Sequence, residues 1–571
     1  MRTINFILVA VLSVCLLVLS PLYAATHTVT SDADSGAGSL RAMIAGASAG
    51  DTIVFAPGIE EIILTGGITA ANNLTINGGN GVVIKGGSIF GNMSSSYQIT
   101  LNNLTFADNT SFVSFNGLTL PSLTINNENL VFDSHSDGAI SIVGSNLGLP
   151  VLTFNNTGTL IFSNNGSAVS IGGAIFYSSD LVIGNNAIFT NNTTGYSNGG
   201  GAIYASNVTI GDSATFTGNS TGGGWFGGAI APYDDLTVGN FATFTNNSAE
   251  MSPSGGGGAI GSAGSASVFT FGNNSTFSGN AAGGSGGAIF HTGYFDGVNL
   301  TFGNRTLFTE NSSRGSYYGD DLGGGAISTG GSISITGNTF FTSNLASKSG
   351  GAIAMYGASS LQTTLDTTDG DIAFSGNKGG VTFTETSPGV FTPSGGIANS
   401  IHLQLKANLN LTGNNNIYFD DPISSGTGSN SSLTKSGTGF VQFLGDNRLN
   451  TTGYTATANS VDIQAGTFRL ANNATFDASG AGNFNVAATA TLAGQGTITA
   501  EGFTIAGTVS PDSDRFEIPN YLKKGDPGTT DTNYNFFETG RTTRTRSRHF
   551  VFPSGIYWHQ TRRRQSMKNR I

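Results

Sequence analysis

The sequence predicts an all-β fold, a right-handed parallel β-helix, from two repeated tetrapeptides and from the short apolar runs between them. Gly-Gly-Ala-Ile recurs seven times at steps of 26–38 residues, starting at Gly172, Gly200, Gly227, Gly257, Gly286, Gly324 and Gly350. Phe-x-x-Asn alternates with it at steps of 27–33 residues, starting at Phe162, Phe189, Phe216, Phe244, Phe277, Phe308, Phe341 and Phe374. One unit holds three apolar runs, 201–205, 207–210 and 214–218, each bounded by turn residues and too short for a helix. Three strands in such a period are typical of one coil of a parallel β-helix.

Composition fits this fold and excludes two other glycine-rich classes. The chain has 571 residues with 85 Gly, 39 Phe and only 13 Pro, and 10% of its residues are charged. Collagen needs Gly at every third position and much more Pro, whereas disordered chains are rich in charge and poor in aromatic residues. Residues 25–513 contain 10 basic and 29 acidic residues, a net charge of −19, which excludes a nucleic-acid-binding surface.

Residues 1–24 are predicted to be a cleaved signal peptide. Arg2 precedes the apolar run 6–19, and Leu22-Tyr23-Ala24 offers a small residue before a cut that leaves Ala25 as the new N-terminus. An uncleaved membrane anchor is the alternative, although the run is short of the roughly 20 residues that span a bilayer. Lipidation of Cys15, the only cysteine, is a second alternative. The mature chain is therefore expected to have no disulfide and no stable membrane span.

Residues 25–60 are predicted to cap the β-helix, and residues 61–380 to form its repeated coils. The cap contains an amphipathic run, 40–45, that suits a short helix, followed by the strand 52–55. A terminal cap is needed because the first coil otherwise exposes its apolar end.

Stacking explains why the two tetrapeptides are repeated while the residues between them vary. Successive coils lie about 4.8 Å apart, so equivalent residues contact their own copies. The eight Phe residues are predicted to form one inward column, and the Ile residues a second on the opposite face: Ile175, Ile203, Ile230, Ile260, Ile289, Ile327 and Ile353. The Asn is expected at a turn in the left-handed backbone region, with its amide bonded to the Asn of the next coil. Gly-Gly is expected to allow a tight bend without a Cβ clash.

The spacing of the repeats changes in the last third of the chain. Residues 381–513 are predicted to form shorter coils, because alternating apolar residues and Gly continue at 432–449, 461–476 and 490–514. Residues 514–571 contain 12 basic and 5 acidic residues and are predicted to be a disordered tail. Translation out of frame after a truncation is one explanation of the tail, and a basic segment that binds an acidic outer envelope is the other.

The sequence predicts no enzyme active site, no cofactor and no metal. The acidic pairs Asp234-Asp235, Asp320-Asp321 and Asp420-Asp421 do not recur at coil spacing with a basic partner, so they are expected to be solvated turn carboxylates. His135, His291 and His402 lack metal-ligand spacing and are expected at the surface or in turns. A carbohydrate-active lyase or hydrolase stays the alternative function, since pectin-lyase-like β-helices include such enzymes and the fold alone does not decide.

The segments between Phe-x-x-Asn and the next Gly-Gly-Ala-Ile vary most in length and are predicted to line one edge of the β-helix. They contain five large side chains that the coil does not require, Tyr196, Trp225, Met251, Tyr317 and Tyr318. Aromatic residues are enriched at binding hot spots, and loops on rigid scaffolds carry much of protein recognition. We interpret these residues as a binding site for a host-cell surface or matrix protein or glycan. The alternative is that they only cover the glycine-rich turns.

The combination of both tetrapeptides resembles the chlamydial polymorphic membrane proteins, a family of autotransporters. Residues 414–425, NNNIYFDDPISS, are similar to a segment near the end of that family's repeat region, and residues 433–447 and 493–514 are similar to the ends of autotransporter passengers. The resemblance covers roughly residues 26–513. It implies a surface-exposed β-helical passenger that acts as an adhesin.

One departure from the family pattern bears on localisation. Family members end in an outer-membrane β-barrel, whereas the 58 residues after Ser513 contain no alternating strands of about 10 residues. The sequence is therefore expected to give an exported product that is secreted or periplasmic rather than held at the outer membrane. A truncated remnant without function is the alternative.

Overall fold

The computed structural model describes residues 24–510 and 551–553, apart from short gaps within the first range. These gaps are 70–71, 88–96, 110, 117–122, 144–150, 169–171, 196–198, 223–225, 250–255, 263, 265–267, 292–298, 316–322, 357–360, 388–389, 405, 427–430, 449–459 and 472–473. Strands account for 56% of the described residues and helix for 2%. Among the described residues, no helix has the length and apolarity needed to cross a membrane.

The first coils are built from long strands and covered by one short helix. The helix, Leu40–Gly46, begins after Ser39, whose Oγ accepts a hydrogen bond from the Ala42 amide at 3.2 Å, and buries Leu40 and Ile44. The strands of this region are Thr26–Val29, Thr52–Phe55, Glu61–Ile63, Leu74–Lys85, Tyr97–Ala107, Val113–Asn116, Leu123–Asp133, Ile140–Val143 and Leu152–Ser163.

From residue 166 each coil has a fixed order of strand types, which we name by position. The Ile strands are Ile175–Tyr177, Ile203–Ala205, Ile230–Pro232, Ile260–Gly261, Ile289–His291, Ile327–Thr329, Ile353–Met355, Ile401–Leu403, Ser424–Ser425 and Asp446–Arg448. The middle strands are Leu181–Ile183, Val208–Ile210, Leu236–Val238, Phe269–Phe271, Asn299–Phe302, Ser332–Thr336, Gln362–Asp366, Asn408–Thr412, Ser432–Lys435 and Ser460–Ile463.

The coil is completed by two further strand types. The Phe strands are Ala187–Thr190, Thr215–Thr217, Thr243–Thr245, Thr276–Ser278, Leu307–Thr309, Thr339–Thr342, Ile372–Ser375, Ile417–Phe419, Phe440–Phe443, Gly466–Leu470, Ala490–Gly494 and Thr508–Ser510. The short strands are Gly166–Ser167, Thr193–Thr194, Ser220–Thr221, Ser248–Ala249, Ala281–Ala282, Ser312–Ser313 and Leu345–Ala346, and a hairpin follows them, Lys378–Ser387 and Val390–Ala398. The remaining strands are Thr475–Val486, Thr497–Ile505 and Val551–Pro553.

Strands of one type pair in parallel with the same type one coil away. Phe189 lies opposite Phe216, and Ile203 lies opposite Ile230. Backbone hydrogen bonds therefore run between coils rather than within them, and the predicted parallel β-helix is confirmed. The structure differs from the prediction in one respect, since each repeat from residue 166 has a fourth, two-residue strand directly after Phe-x-x-Asn.

The core contains a continuous column of phenylalanine rings. Rings of neighbouring coils are nearly parallel, with centroids 4.7 Å apart between Phe189 and Phe216 and 4.9 Å apart between Phe216 and Phe244. All eight Phe residues of the repeat are fully buried, and so are the seven Ile residues. An isolated aromatic pair prefers an offset or edge-on arrangement, so the in-register stacking follows from the coil spacing. The rings of Phe271 and Phe302 pack edge-on against the column.

Candidate binding face

Each variable loop follows a buried asparagine that is fixed by hydrogen bonds to both neighbouring coils. Asn192 Nδ2 donates to Asn219 Oδ1 and to the Phe162 carbonyl, both at 2.9 Å, and the Asn192 amide donates to the same Oδ1 at 3.0 Å. The same pattern repeats along what we call the asparagine ladder, which comprises Asn165, Asn192, Asn219, Asn247, Asn280, Asn311, Asn344 and Asn377. These side chains are fully buried, so water cannot replace the bonds.

The ladder confirms the predicted Asn–Asn bond but corrects the predicted place of the asparagine. The left-handed backbone falls on the preceding residue, as at Asn191 with φ 54° and Asn246 with φ 53°, or at Gly218 with φ 65°. This turn directs the following Asn into the interior instead of leaving it in the solvent. The loop therefore starts from one of the most constrained points of the coil.

Each loop ends at a pair of glycines that touch the next coil. A Cβ on Gly201 would overlap the carbonyl oxygen of Gly228 and the amide nitrogen of Ser220, and a Cβ on Gly228 would overlap the carbonyl of Gly258. In later coils the first glycine of the pair also has a positive φ, 75° at Gly257. Both ends of every loop are thus fixed, whereas its length is free.

The described starts of the loops share one edge of the β-helix, because the short strands after each ladder asparagine form a separate nine-stranded sheet that ends in the hairpin. The five predicted binding residues, Tyr196, Trp225, Met251, Tyr317 and Tyr318, lie outside the described residues. The described chain reaches Gly195 before the first of them, Gly222 before the second and Gly315 before the last two. Their role as a binding site stays a prediction.

The hairpin is the largest described element on this edge. Its strands Lys378–Ser387 and Val390–Ala398 pair antiparallel, and nearly all of the second strand is exposed, including Val390 at 54% and Ile397 at 79%. The Arg314 guanidinium carbon lies 3.7 Å from the centroid of the Phe391 ring, which joins the hairpin to the loop that contains Tyr317. Sequence reasoning missed this element, although two β-rich runs around Ser-Pro-Gly at 387–389 are typical of a hairpin.

The outward side of most Ile strands is buried, unlike the outward sides of most middle and Phe strands. Phe290 and Tyr356 form a cluster there with ring centroids 6.1 Å apart, and Tyr356 Oη donates to the His291 carbonyl at 2.8 Å. A Cβ on Gly256 would overlap the Phe290 ring, so the end of that loop lies directly on the cluster. The described ends of the loops therefore lie on the side of the Ile strands and the short strands.

A second exposed surface lies at the corner between the Ile strands and the middle strands, which we call the acidic corner. It contains Tyr233, which is 50% exposed, the adjacent Asp234 and Asp235, and Asp180 from an earlier coil. Partial burial, the Asp235 charge and the Asp180 charge raise the pKa of the Asp234 carboxyl. Asp235 Oδ1 accepts a hydrogen bond from the Val268 amide at 2.8 Å. The corner thus combines concentrated negative charge with an exposed aromatic ring.

Four expectations about single residues were wrong, and two of these residues lie on the asparagine ladder. Asp421 is not a solvated turn carboxylate but is buried at the end of the ladder, where Oδ2 accepts from the amide and from Nδ2 of Asn377, both at 2.7 Å. His135 is also buried, because it occupies the ladder position after Phe132, with Nδ1 2.9 Å from Asn165 Oδ1. A Phe-x-x-His at 132–135 and the Phe-Asp-Asp at 419–421 were visible in the sequence as altered copies of Phe-x-x-Asn.

The other two histidines are buried in Ile strands rather than exposed. His291 Nδ1 lies 3.3 Å from Thr329 Oγ1, and His402 Nδ1 lies 2.8 Å from Ser424 Oγ. Within the described part of the chain, no group of three His, Cys, Asp or Glu side chains is placed to hold a metal ion. Asp320 and Asp321 lie outside that part.

Three stretches of the chain, residues 186–206, 242–263 and 274–292, match the Chlamydia polymorphic membrane protein repeat. Each stretch runs from a Phe strand through the ladder asparagine and the variable loop to the next Ile strand. The resemblance inferred from the sequence is thereby confirmed. Comparisons with curated proteins and with solved structures gave no match.

Proposed function

Because three stretches of the chain match the Chlamydia polymorphic membrane protein repeat, we propose that the chain belongs to that family and is the exported passenger of an autotransporter-type adhesin. In this proposal it reaches the cell surface, the medium or the periplasm through its signal peptide. It binds a host-cell surface or matrix protein or glycan through the loop edge of the β-helix.

The observation that carries the proposal is the contrast between fixed loop ends and free loop lengths. The ladder asparagine and the glycine pair hold each loop at both ends, at the same place in every coil. A rigid scaffold lowers the entropy lost on binding, because only the loop side chains need to be ordered. Loops of unequal length on such a scaffold give an extended surface on which one sequence differs from another without any change in the core.

The hairpin supports the same location. Val390 and Ile397 are exposed, so their side chains add no hydrophobic stabilisation to the folded chain. They lie on the same edge as the loop that contains Arg314 and Tyr317. Their exposed apolar surface is available for contact with a partner. We therefore include the hairpin in the proposed binding surface, together with Tyr196, Trp225, Met251, Tyr317 and Tyr318.

The proposal is tested with beads that carry the purified chain and adhere to cultured epithelial cells. Trp225→Ala combined with Tyr317→Ala is expected to abolish adhesion while the β-sheet circular dichroism and the melting temperature stay unchanged. The matched control, Tyr233→Ala combined with Asp234→Ala, changes the acidic corner and is expected to leave adhesion intact.

The two pairs of substitutions separate the possible results. Loss of adhesion only with the Tyr233 and Asp234 pair would move the binding surface to the acidic corner. Beads that never adhere, even with the unaltered chain, would refute the adhesin function. The alternative of a carbohydrate-active enzyme predicts that the chain releases oligosaccharides from host or matrix glycans, and we expect no such release. Protease treatment or deglycosylation of the host cells then distinguishes a protein ligand from a glycan ligand.

A further inference from the structure

The carboxylate of Asp51 gathers three donors at the start of the first coil. Its Oδ2 accepts hydrogen bonds from His27 Nε2 and from the Ser48 amide, both at 2.8 Å. Its Oδ1 accepts a hydrogen bond from the backbone nitrogen of Ala25 at 2.7 Å. Asp51 is buried although it carries a charge, so these donors supply the stabilisation that water would otherwise give.

Ala25 itself is held in place from its other side. Its carbonyl accepts a hydrogen bond from the Thr52 amide at 2.8 Å, and the strand Thr26–Val29 that follows pairs in parallel with Thr52–Phe55. Ala24 and Ala25 are both exposed. The bond between them is thus at the surface, while the nitrogen of that bond is directed at a buried carboxylate.

We propose that Ala25 is the first residue of the mature protein and that its free α-ammonium group forms an ion pair with Asp51. The inference rests on the export proposed above, since the cut is made by the signal peptidase of the exporting cell. Hydrolysis breaks the C–N bond between Ala24 and Ala25. The hydroxyl of the water adds to the Ala24 carbonyl carbon, and the other proton of the water goes to the Ala25 nitrogen. The new Ala24 carboxylic acid loses its proton to the resulting amine, so Ala24 ends as a carboxylate and Ala25 begins with an ammonium group that has three N–H donors. The neutral amide that donates to Asp51 in the precursor is then replaced by a cation at the same position.

The chemistry of the site suits a cation. The His27 hydrogen bond and then the backbone donors Ser48 and Ala25 lower the pKa of the Asp51 carboxyl to about 2, so between about pH 2 and pH 8 the carboxyl is ionised while the α-amino group is protonated. The titratable groups that face the Ala25 nitrogen are Asp51 and, through the shared carboxylate, His27. A hydrogen bond from an ammonium group to a carboxylate adds the Coulombic attraction between two opposite charges, which a neutral amide donor lacks. Removal of the leader therefore strengthens the contact that closes the first coil, and the uncut precursor lacks this reinforcement.

The first test is N-terminal sequencing of the exported protein. We expect a single N-terminus at Ala25. A different N-terminus in the exported chain would overturn the inference and leave export intact, whereas a chain that is never cut would overturn both. A failure of adhesion alone does not bear on the inference.

The second test compares a chain that begins at Ala25 with one that begins at Ala24, so that they differ by one residue and by the position of the ammonium group. The α-amino pKa of the first is expected to lie about one unit above the ordinary value of about 8. At pH 7 the Thr52 amide, which bonds to Ala25, should therefore exchange about tenfold more slowly in the first chain. Acetylation of the Ala25 amine provides a control without a mutation and should remove the difference, as should Asp51→Asn.

The direction of the pH dependence gives an independent check. An amino group whose pKa is raised by folding stabilises the folded chain below its unfolded pKa, and this contribution is lost as the pH rises through the folded pKa. The exchange difference should accordingly be full at pH 7 and vanish between about pH 8 and pH 10. Equal exchange rates in the two chains at pH 7, or a difference that persists after acetylation, would show that the ammonium does not pair with Asp51.

Discussion

Replacement of one ladder asparagine tests whether buried amide bonds, and not only the Phe column, hold the coils together. In Asn247→Ala the Asn219 amide and Asn219 Nδ2 lose their common acceptor, Asn247 Oδ1, which lies 3.0 Å from each. The Phe216 carbonyl and Asn280 Oδ1 each lose the donor Asn247 Nδ2 as well. Two buried donors without partners cost about 1–3 kcal/mol each, so we expect a loss of about 2–6 kcal/mol.

The same coil offers a matched control. Asn240 makes comparable bonds, because its Nδ2 donates to Asp212 Oδ1 at 3.1 Å and its Oδ1 accepts from the Asn273 amide at 2.9 Å, but it lies at a solvent-accessible corner. Water can replace these bonds, so Asn240→Ala should cost less than about 1 kcal/mol. The assay is urea unfolding followed by circular dichroism, together with hydrogen exchange of the Asn219 amide. Equal losses for both variants would refute the argument that burial makes the ladder costly to break.

Three further outcomes are expected. Gly201→Ala should destabilise the chain by about 3 kcal/mol or more, because the methyl group overlaps the Gly228 carbonyl, whereas Gly66→Ala, with open space around it, should be nearly neutral in the same unfolding assay. Lys435 is buried with Nζ 2.9 Å from the Gly437 carbonyl, and burial lowers its pKa to about 8. Between pH 8 and about 10.5 the unfolded chain therefore binds more protons than the folded chain. The free energy of unfolding should rise with pH in that window, and this rise should disappear in Lys435→Met. Burial raises the pKa of Asp421 to about 7, so its contribution to the free energy of unfolding should be largest below about pH 4 and fall as the pH rises to 7. An Asp421→Asn variant whose unfolding free energy has the same pH dependence would contradict this assignment.

The fold was predictable because a stacked position is repeated when it contacts its own copy. The period of Phe189, Phe216 and Phe244 encodes the coil directly, and the pairing of these residues in the structure has the same register. The fourth strand was not predictable, because two residues such as Thr193–Thr194 carry no periodic pattern.

The prediction failed for polar residues that lie in the interior of the β-helix. Asn, Asp and His were assigned to turns or to the surface because these residue types usually lie there. In this protein a left-handed residue such as Asn191 turns the chain inward, and the ladder satisfies every polar atom of Asn192. Alignment of His135 and Asp421 on the repeat would have predicted both as ladder positions. The loop side chains are not predictable in this way, since loop residues need not contact their counterparts in the next coil.

The asparagine ladder has a direction. The backbone amides of the ladder all donate towards the later coil, from His135 at one end, whose amide nitrogen lies 3.1 Å from Asn165 Oδ1, to the carboxyl group of Asp421 at the other. Unlike the two ends, the internal Asn residues are interchangeable, because each one makes the same set of bonds. Its Oδ1 accepts from the Asn of the coil before it, and its Nδ2 donates both to the Asn of the coil after it and to the Phe carbonyl of the coil before it. Duplication or loss of a whole unit by recombination therefore lengthens or shortens the protein without creating an unpaired group, provided that both ends are kept. The number of coils, and with it the number of loops, is thus free to change in steps of one.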